Sequence, residues 1–326
     1  MLTDRTVRSI PDRKENLHKS KHDAPMRTLI VMPHFFKASV QVATNRSTQI
    51  GAHDERLRAL IAAISSLHQA LGGSTYGLDH GERTAWHMSP AAPHALDIVI
   101  VTTGQSHLVD ELAPLQRMLR HHSTDADPLM LGFECHKLMR DSYGRYDYYG
   151  YVEDDIVITD PLFLRKRRLF DEKFGPYALL QPNRYEASPI PPVTKLYVDY
   201  RLAAHVTAPY QDIADQPRLE LSFLDDVIAY ERTSYPSSGC FFLSDNQLGI
   251  WIESPHFLDS DISYLSPLDS AVTLSVMKTF RIYKPVLDQA WFLEVLHASP
   301  RWIGSVTQIA KLAAQPPAPG IPSTGK

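Results

Sequence analysis

The stretch YYGYVEDDIVITDP, Tyr148 to Pro161, decides how the rest of the chain is read. A short apolar run, Tyr149-Gly-Tyr-Val, ends in three consecutive acids, Glu153, Asp154 and Asp155, and a second apolar run, Ile156-Val-Ile, follows at once. Strands of a parallel sheet are covered on both faces, so they read as unbroken apolar runs rather than alternating ones. Three adjacent carboxylates cannot lie unpaired inside such a sheet, because each desolvated charge costs several kcal/mol. They are expected at the strand's end, where open α/β sheets bind their ligands. Oxygen ligands gathered at one point suit a hard divalent cation, which in turn suits a diphosphate. An acidic turn facing water is the alternative reading of the same residues.

Upstream, TLIVMPHFF from Thr28 reads as a first buried strand stopped by Pro33. After a polar loop, Lys37 to His53, a helix carries Leu57, Leu60, Ile61, Ile64, Leu67 and Leu71 on one face and closes at Gly72-Gly73. LDIVIVTTG, from Leu96, is a second strand ending in Thr102-Thr103-Gly104. Ser106 is placed to cap a further helix with Leu108, Leu112, Leu115 and Leu119 on its apolar face. PLMLGFE, Pro128 to Glu134, reads as a third strand, and HKLMRDSYG as a short helix ending at Gly144. Strands alternating with helices predict an α/β fold with a Rossmann-type, mainly parallel sheet flanked by helices.

Downstream, Asp160 and Pro161 make a cap and first-turn pair for a helix from Leu162 to Phe174. Its run Arg165-Lys166-Arg167-Arg168 reads as a solvated face. Ala187 to Pro236, with Pro189, Pro191 and Pro192 and an acidic, partly helical Leu219–Glu231, is taken as an insertion over the sheet's edge, placed to recognise an acceptor. Tyr185, Tyr197 and Tyr200 around this insertion are either sugar-stacking or core residues. Leu287 to His297 fits helix and strand equally well.

With 326 residues and 44% hydrophobic content the chain can bury the core of one large domain. The expected organisation is a polar tail over 1–25, a folded domain over 26–312 with a nucleotide-binding half (26–185) and an acceptor half (186–312), and a Pro-rich tail over 313–326. A net charge of −4 gives no support to nucleic acid as a partner. No run of eighteen apolar residues or signal-peptide core is present, and Cys135 and Cys240 do not make a disulfide framework, so a cytoplasmic protein is expected. Composition leaves the oligomeric state open.

An apolar strand ending in E-D-D, an apolar pair and a D-P helix start resembles the DXD-type motif of GT-A-fold glycosyltransferases. The resemblance extends over roughly residues 27 to 305. It implies that Asp155 contacts a Mn²⁺ or Mg²⁺ ion bridging the diphosphate of a nucleotide sugar, with Glu153 and Asp154 contacting ribose or the metal's waters. Gly239 falls where the family has a glycine-containing loop lining the donor pocket. Asp269 occupies the acidic position that follows this loop, and His297 falls where a C-terminal histidine often binds the metal. The sequence departs from the pattern at Leu268, where the family usually has a second acid. Topology and resemblance together assign Pro33, His34, Thr103 and Gly104 to the nucleotide.

These residues also have plainer explanations. Ser266-Pro-Leu-Asp269 is a capping box, in which Asp269 ties down a helix N-terminus, and His297 ends an apolar run. The chemistry the resemblance implies is transfer of a sugar, of hexosyltransferase type, from a nucleoside-diphosphate sugar to a hydroxyl acceptor, with Asp269 as base if configuration is inverted. A nucleotidyltransferase is a second reading, although MPHFFKA lacks the Gly-rich phosphate loop it would normally carry. A non-catalytic nucleotide-sugar-binding module is a third.

Overall fold

The first apolar run forms β1 (Arg27–Pro33), buried at every position after Arg27, and it occupies the middle of a five-stranded sheet. The computed structural model describes residues 26–38, 51–88, 94–187 and 193–303; the two expected tails fall outside them. Helix α1 (His53–Leu71) follows, then a small hairpin of β2 (Tyr76–Asp79) and β3 (Thr84–His87). β4 (Ala95–Thr103) pairs parallel with β1, and β5 (Arg120–Thr124) pairs parallel with β4. Helix α2 (Leu131–Asp141) leads to β6 (Tyr148–Val152), parallel to β1 on its other side.

The strand expected over Pro128–Glu134 is instead a 3-10 turn running into α2, and Asp127 caps it by accepting from the Leu129 amide at 2.8 Å. The third strand is β5, whose sequence RHHST carries no apolar signal because it is a largely exposed edge. The helix expected over Leu108–Leu119 is broken into two 3-10 turns, Val109–Glu111 and Leu115–Met118. Pro114 between them removes a helical amide and clashes with the preceding turn.

Beyond the acids, β7 (Ile156–Val157) and α3 (Phe163–Phe174) precede β8 (Ala178–Leu180), β9 (Asn183–Ala187) and β10 (Lys195–Tyr197). The segment read as partly helical is a hairpin, β11 (Arg218–Phe223) and β12 (Asp226–Glu231), in which alternate residues such as Leu221 and Ile228 turn inward. β13 (Cys240–Ser244) closes the main sheet antiparallel to β6 and leads through a Ser244 capping box into α4 (Asp245–Ile252). A helical segment begins with α5 (Pro267–Asp269), and its π-helical turn Ser270–Leu274 runs into α6 (Ser275–Met277). Then come β14 (Arg281–Pro285), a 3-10 segment over Leu287–Phe292 and β15 (Glu294–His297). The ambiguous Leu287–His297 is therefore 3-10 helix first and strand second.

The main sheet, in the order β13-β6-β1-β4-β5, is covered on both faces. Leu29 and Val31 of β1 join one buried cluster with Tyr149, Tyr151, Phe241 and Trp251. Ile30 and Met32 join another with Leu60, Ile64 and Leu67 of α1 and Phe163 and Phe170 of α3. Each such side chain contributes about 1.5–3 kcal/mol on burial. The basic run of α3 is solvated only in part. Arg165 is exposed, but Lys166 and Arg167 are buried, and Arg167 donates to the carbonyls of Leu180 and Phe242, joining β8 to β13. Among the described residues no helix is long and apolar enough to cross a membrane.

Candidate active site

All five residues of β6 are buried, and the chain reaches the acids at the strand's carboxyl edge. Val31 pairs with Tyr151, so Glu153 follows level with Pro33 at the end of β1. The Glu153 amide donates to the Gly239 carbonyl at 2.9 Å. Gly239 has φ +67°, and a Cβ there would meet Ile156 at 2.7 Å and Arg184 and Glu153 at 3.0 Å. Both the left-handed backbone and the close approach require glycine at this position.

Asp154 is buried and held by two side chains: the Arg56 guanidinium spans its two oxygens, and His34 Nδ1 lies 2.5 Å from Oδ2. The Leu108 amide donates to His34 Nε2 at 3.1 Å, which fixes the imidazole proton on Nδ1, facing Asp154. Burial alone would raise the Asp154 pKa, but Arg56 and His34 outweigh it and hold it below its ordinary value. His34 is thus a buried support of the motif, while Pro33, Thr103 and Gly104 lie on the same carboxyl edge of the sheet. Thr103 Oγ1 donates to the Ala126 carbonyl, and Gly104 is exposed with φ +51°.

Asp155 meets His297 through strand pairing. β7 continues from the acids and runs antiparallel to β15, matching Ile156 with His297, and the Ala298 amide donates to the Asp155 carbonyl at 2.8 Å. His297 Nε2 lies 3.3 Å from Asp155 Oδ2, and its Nδ1 lies 2.9 Å from Glu186 Oε1. Burial disfavours the imidazolium, but the two carboxylates prevail and push His297 up to about 9. In return His297, with Arg56 and Arg184, holds Asp155 well below the carboxylate range despite burial.

A second group adjoins the first. β9 runs parallel to β15 with Arg184 opposite Val295, which brings Arg184 and Glu186 to the site side of the strand. Arg184 makes a two-point pair with buried Asp199, at 2.8 and 2.9 Å, and its Nη1 lies 3.6 Å from Glu153. Burial, aided by Asp155 and Asp269 and opposed by Arg184, pushes Glu153 up to about 8. Ser266 caps the helix: the Asp269 amide donates to Ser266 Oγ at 3.0 Å, and that hydroxyl donates to Asp269 Oδ2 at 2.6 Å. Its Oδ1 has no hydrogen-bond partner among the described residues. Burial raises the Asp269 pKa, opposed by Ser266 and Arg184.

The fold therefore gathers Glu153, Asp154, Asp155, Gly239, Asp269 and His297, which sequence singled out, with Arg56, Arg184, Glu186 and Asp199, which it did not. Arg56 carried a legible signal, since it stands in register with the buried stripe of α1. Arg184 and Glu186 also alternate in a strand otherwise short of charge. Asp199 gave none, because only its long-range pair with Arg184 reveals it.

Among the described residues no group of three or more His, Cys, Asp or Glu side chains forms a metal cluster. Asp155 Oδ2 and His297 Nε2 are nonetheless spaced as two adjacent ligands of one cation at about 2.1–2.3 Å would be. A hard cation that keeps waters and takes phosphate oxygens needs only one or two protein ligands. These donors fit such an ion, provided that Nε2 is deprotonated and Arg56 Nη1, 3.1 Å from the same oxygen, moves aside.

No family model and no curated protein matches this chain. Among solved structures it is similar to S. aureus TarS. For TarS 1-349 in complex with UDP-GlcNAc the identity is 12% and the TM-score 0.39, over 89% of this chain and 66% of that one. For the UDP complex they are 13% and 0.39, over 79% and 57%. For TarS itself they are 11% and 0.38, over 79% and 35%, so this chain spans between about a third and two thirds of the TarS chains it matches.

Proposed function

We propose that this protein is a metal-dependent glycosyltransferase that moves a sugar from a nucleoside-diphosphate sugar to a hydroxyl acceptor. The observation that carries the reading is the meeting of Asp155 with His297, at the carboxyl edge of a parallel sheet, beside a second cluster that holds Asp269. An open α/β sheet binds its ligands at that edge. Asp155 and His297 are the residues that would hold Mn²⁺ or Mg²⁺, and the bound ion would supply charge neutralisation to the departing diphosphate.

The remaining work falls to the chain's own groups. Arg56 and Arg184 add positive charge beside the acids, and Pro33, Thr103, Gly104 and Gly239 form the edge against which the nucleotide would lie. The acceptor oxygen bonds to the anomeric carbon while the bond from that carbon to the diphosphate breaks, and the electron pair leaves with the diphosphate. The hydroxyl proton passes to Asp269 Oδ1. Its raised pKa favours holding that proton, and its place at a helix start is compatible with the charged form beforehand. Glu153, pushed up by burial, is suited to donating or accepting at a sugar or ribose hydroxyl.

The test is a screen of nucleotide sugars with Mn²⁺ for release of nucleoside diphosphate, with and without candidate acceptors. Turnover abolished by EDTA supports the proposal. Binding without turnover for every donor favours the non-catalytic reading, and release of pyrophosphate favours nucleotidyl transfer.

A further inference from the structure

Glu186 lies on β9 with its side chain wholly out of solvent, yet among the described residues no guanidinium or ammonium pairs with it. Its carboxylate instead accepts the amides of three consecutive residues: Arg301 at 2.6 Å, Trp302 at 3.0 Å and Ile303 at 2.7 Å. The fourth partner is His297 Nδ1 at 2.9 Å. Successive backbone amides converging on one anion form a nest, a strong way to fix the path of a chain segment. The segment fixed here, 298–303, leaves β15 directly across the site. Its Ala298 amide donates to the Asp155 carbonyl. The Trp302 ring packs 5.2 Å from the His297 ring, and the Arg184 guanidinium lies 5.2 Å from the Trp302 centroid. The Arg301 charge is felt at Asp269.

We propose that Glu186 is a positioning residue for the proposed transfer, holding residues 298–303 as a wall of the nucleotide-sugar site. One carboxylate orients His297 and pins the backbone that carries Trp302, so the aromatic wall and the imidazole are set together. Trp302 shields His297 and Arg184 from water, and charges in a drier site act more strongly on a bound diphosphate. This inference rests on the nucleotide-sugar reading and adds to it a wall that lies outside the acidic motif.

The test compares the full chain with E186Q, W302A and the double variant. Hydrogen exchange reports the amides of 301–303, and calorimetry reports the affinity for UDP and GDP with Mn²⁺. Exchange at 301–303 should be at least about tenfold faster in E186Q, because the neutral amide satisfies fewer of the three donors. Each single variant should bind the preferred nucleotide at least about tenfold more weakly, and the double variant no more weakly than the weaker single, as for residues acting through one segment. Freed amides with wild-type affinity overturn the proposal, and so do effects that multiply in the double variant. If E186Q does not fold, undiminished affinity in W302A overturns it alone. A wild-type chain that binds neither nucleotide overturns the nucleotide-sugar reading itself, whereas failure confined to the variants overturns only the role of Glu186.

Discussion

The Asp155 carboxylate lies 3.3 Å from His297 Nε2 because β7, the strand that follows the acids, pairs with β15. Asp160, only five positions on, accepts the Leu162 amide at 2.8 Å and pairs with Lys166, so it serves the start of α3 rather than the site. Asp155→Asn should therefore abolish most of the divalent-dependent part of UDP or GDP binding, while Asp160→Asn leaves it near wild type. Calorimetry with Mn²⁺ and with excess EDTA measures both. The reverse order would place the metal one element further along the chain.

A single substitution separates the structural place of Asp269 from the chemical role proposed for it. The bond its carboxylate accepts from the capping Ser266 hydroxyl contributes about 0.5–1 kcal/mol, part of which Asn retains. Its proposed role as base would contribute on the order of 10²–10⁴ in rate, of which Asn would retain none. Asp269→Asn should fold, bind nucleotide with metal as before, and transfer sugar at least about a hundredfold more slowly. Near-normal turnover in the variant would remove Asp269 from the chemistry and make Asp288 the next acid to examine.

Arg167 and Arg165, two positions apart on α3, should differ sharply in cost. Removing the buried Arg167 takes the guanidinium donor from the Leu180 and Phe242 carbonyls and leaves Asp171 with Tyr148 but without its cation, a loss of about 3 kcal/mol or more. Exposed Arg165→Ala should change stability by no more than about 0.5 kcal/mol. Thermal denaturation of the two alanine variants decides, and equal midpoints would contradict the joining role of Arg167.

His136 lies in the aromatic cluster of Phe133, Tyr151, Phe241 and Trp251, and burial lowers its pKa to about 3, offset only in part by the Ala271 backbone. A histidine depressed from 6.5 contributes stability that is complete above its unfolded pKa and is lost as pH falls from 6.5 toward 3. At pH 5 the loss is about 2 kcal/mol. His136→Phe should show a flatter decline in melting temperature between pH 7 and 5 than the wild type. An unchanged slope would mean that another group carries the acid sensitivity.

The alternation of apolar runs with amphipathic helices determined, by itself, the parallel sheet, the paths of β1, α1, β4, β6 and α3, and the place of three acids at a strand end. Those features are local: a doubly covered strand must be apolar throughout, and an unpaired charge cannot enter it. Sequence could not read β5, an exposed edge strand with no apolar period, nor the β11–β12 hairpin, where the acids of an exposed face hide the alternation. It also took the basic run of α3 as solvated, because nothing local shows that the Leu180 and Phe242 carbonyls await Arg167. The site divides in the same way. Glu153, Asp154 and Asp155 announce themselves by type and position, whereas Asp269 and His297 stood out only through the family resemblance. That His297 faces Asp155, that Arg56 and His34 hold Asp154, and that Glu186 gathers a backbone segment were decided only by tertiary structure, since strand pairing between distant segments sets those distances.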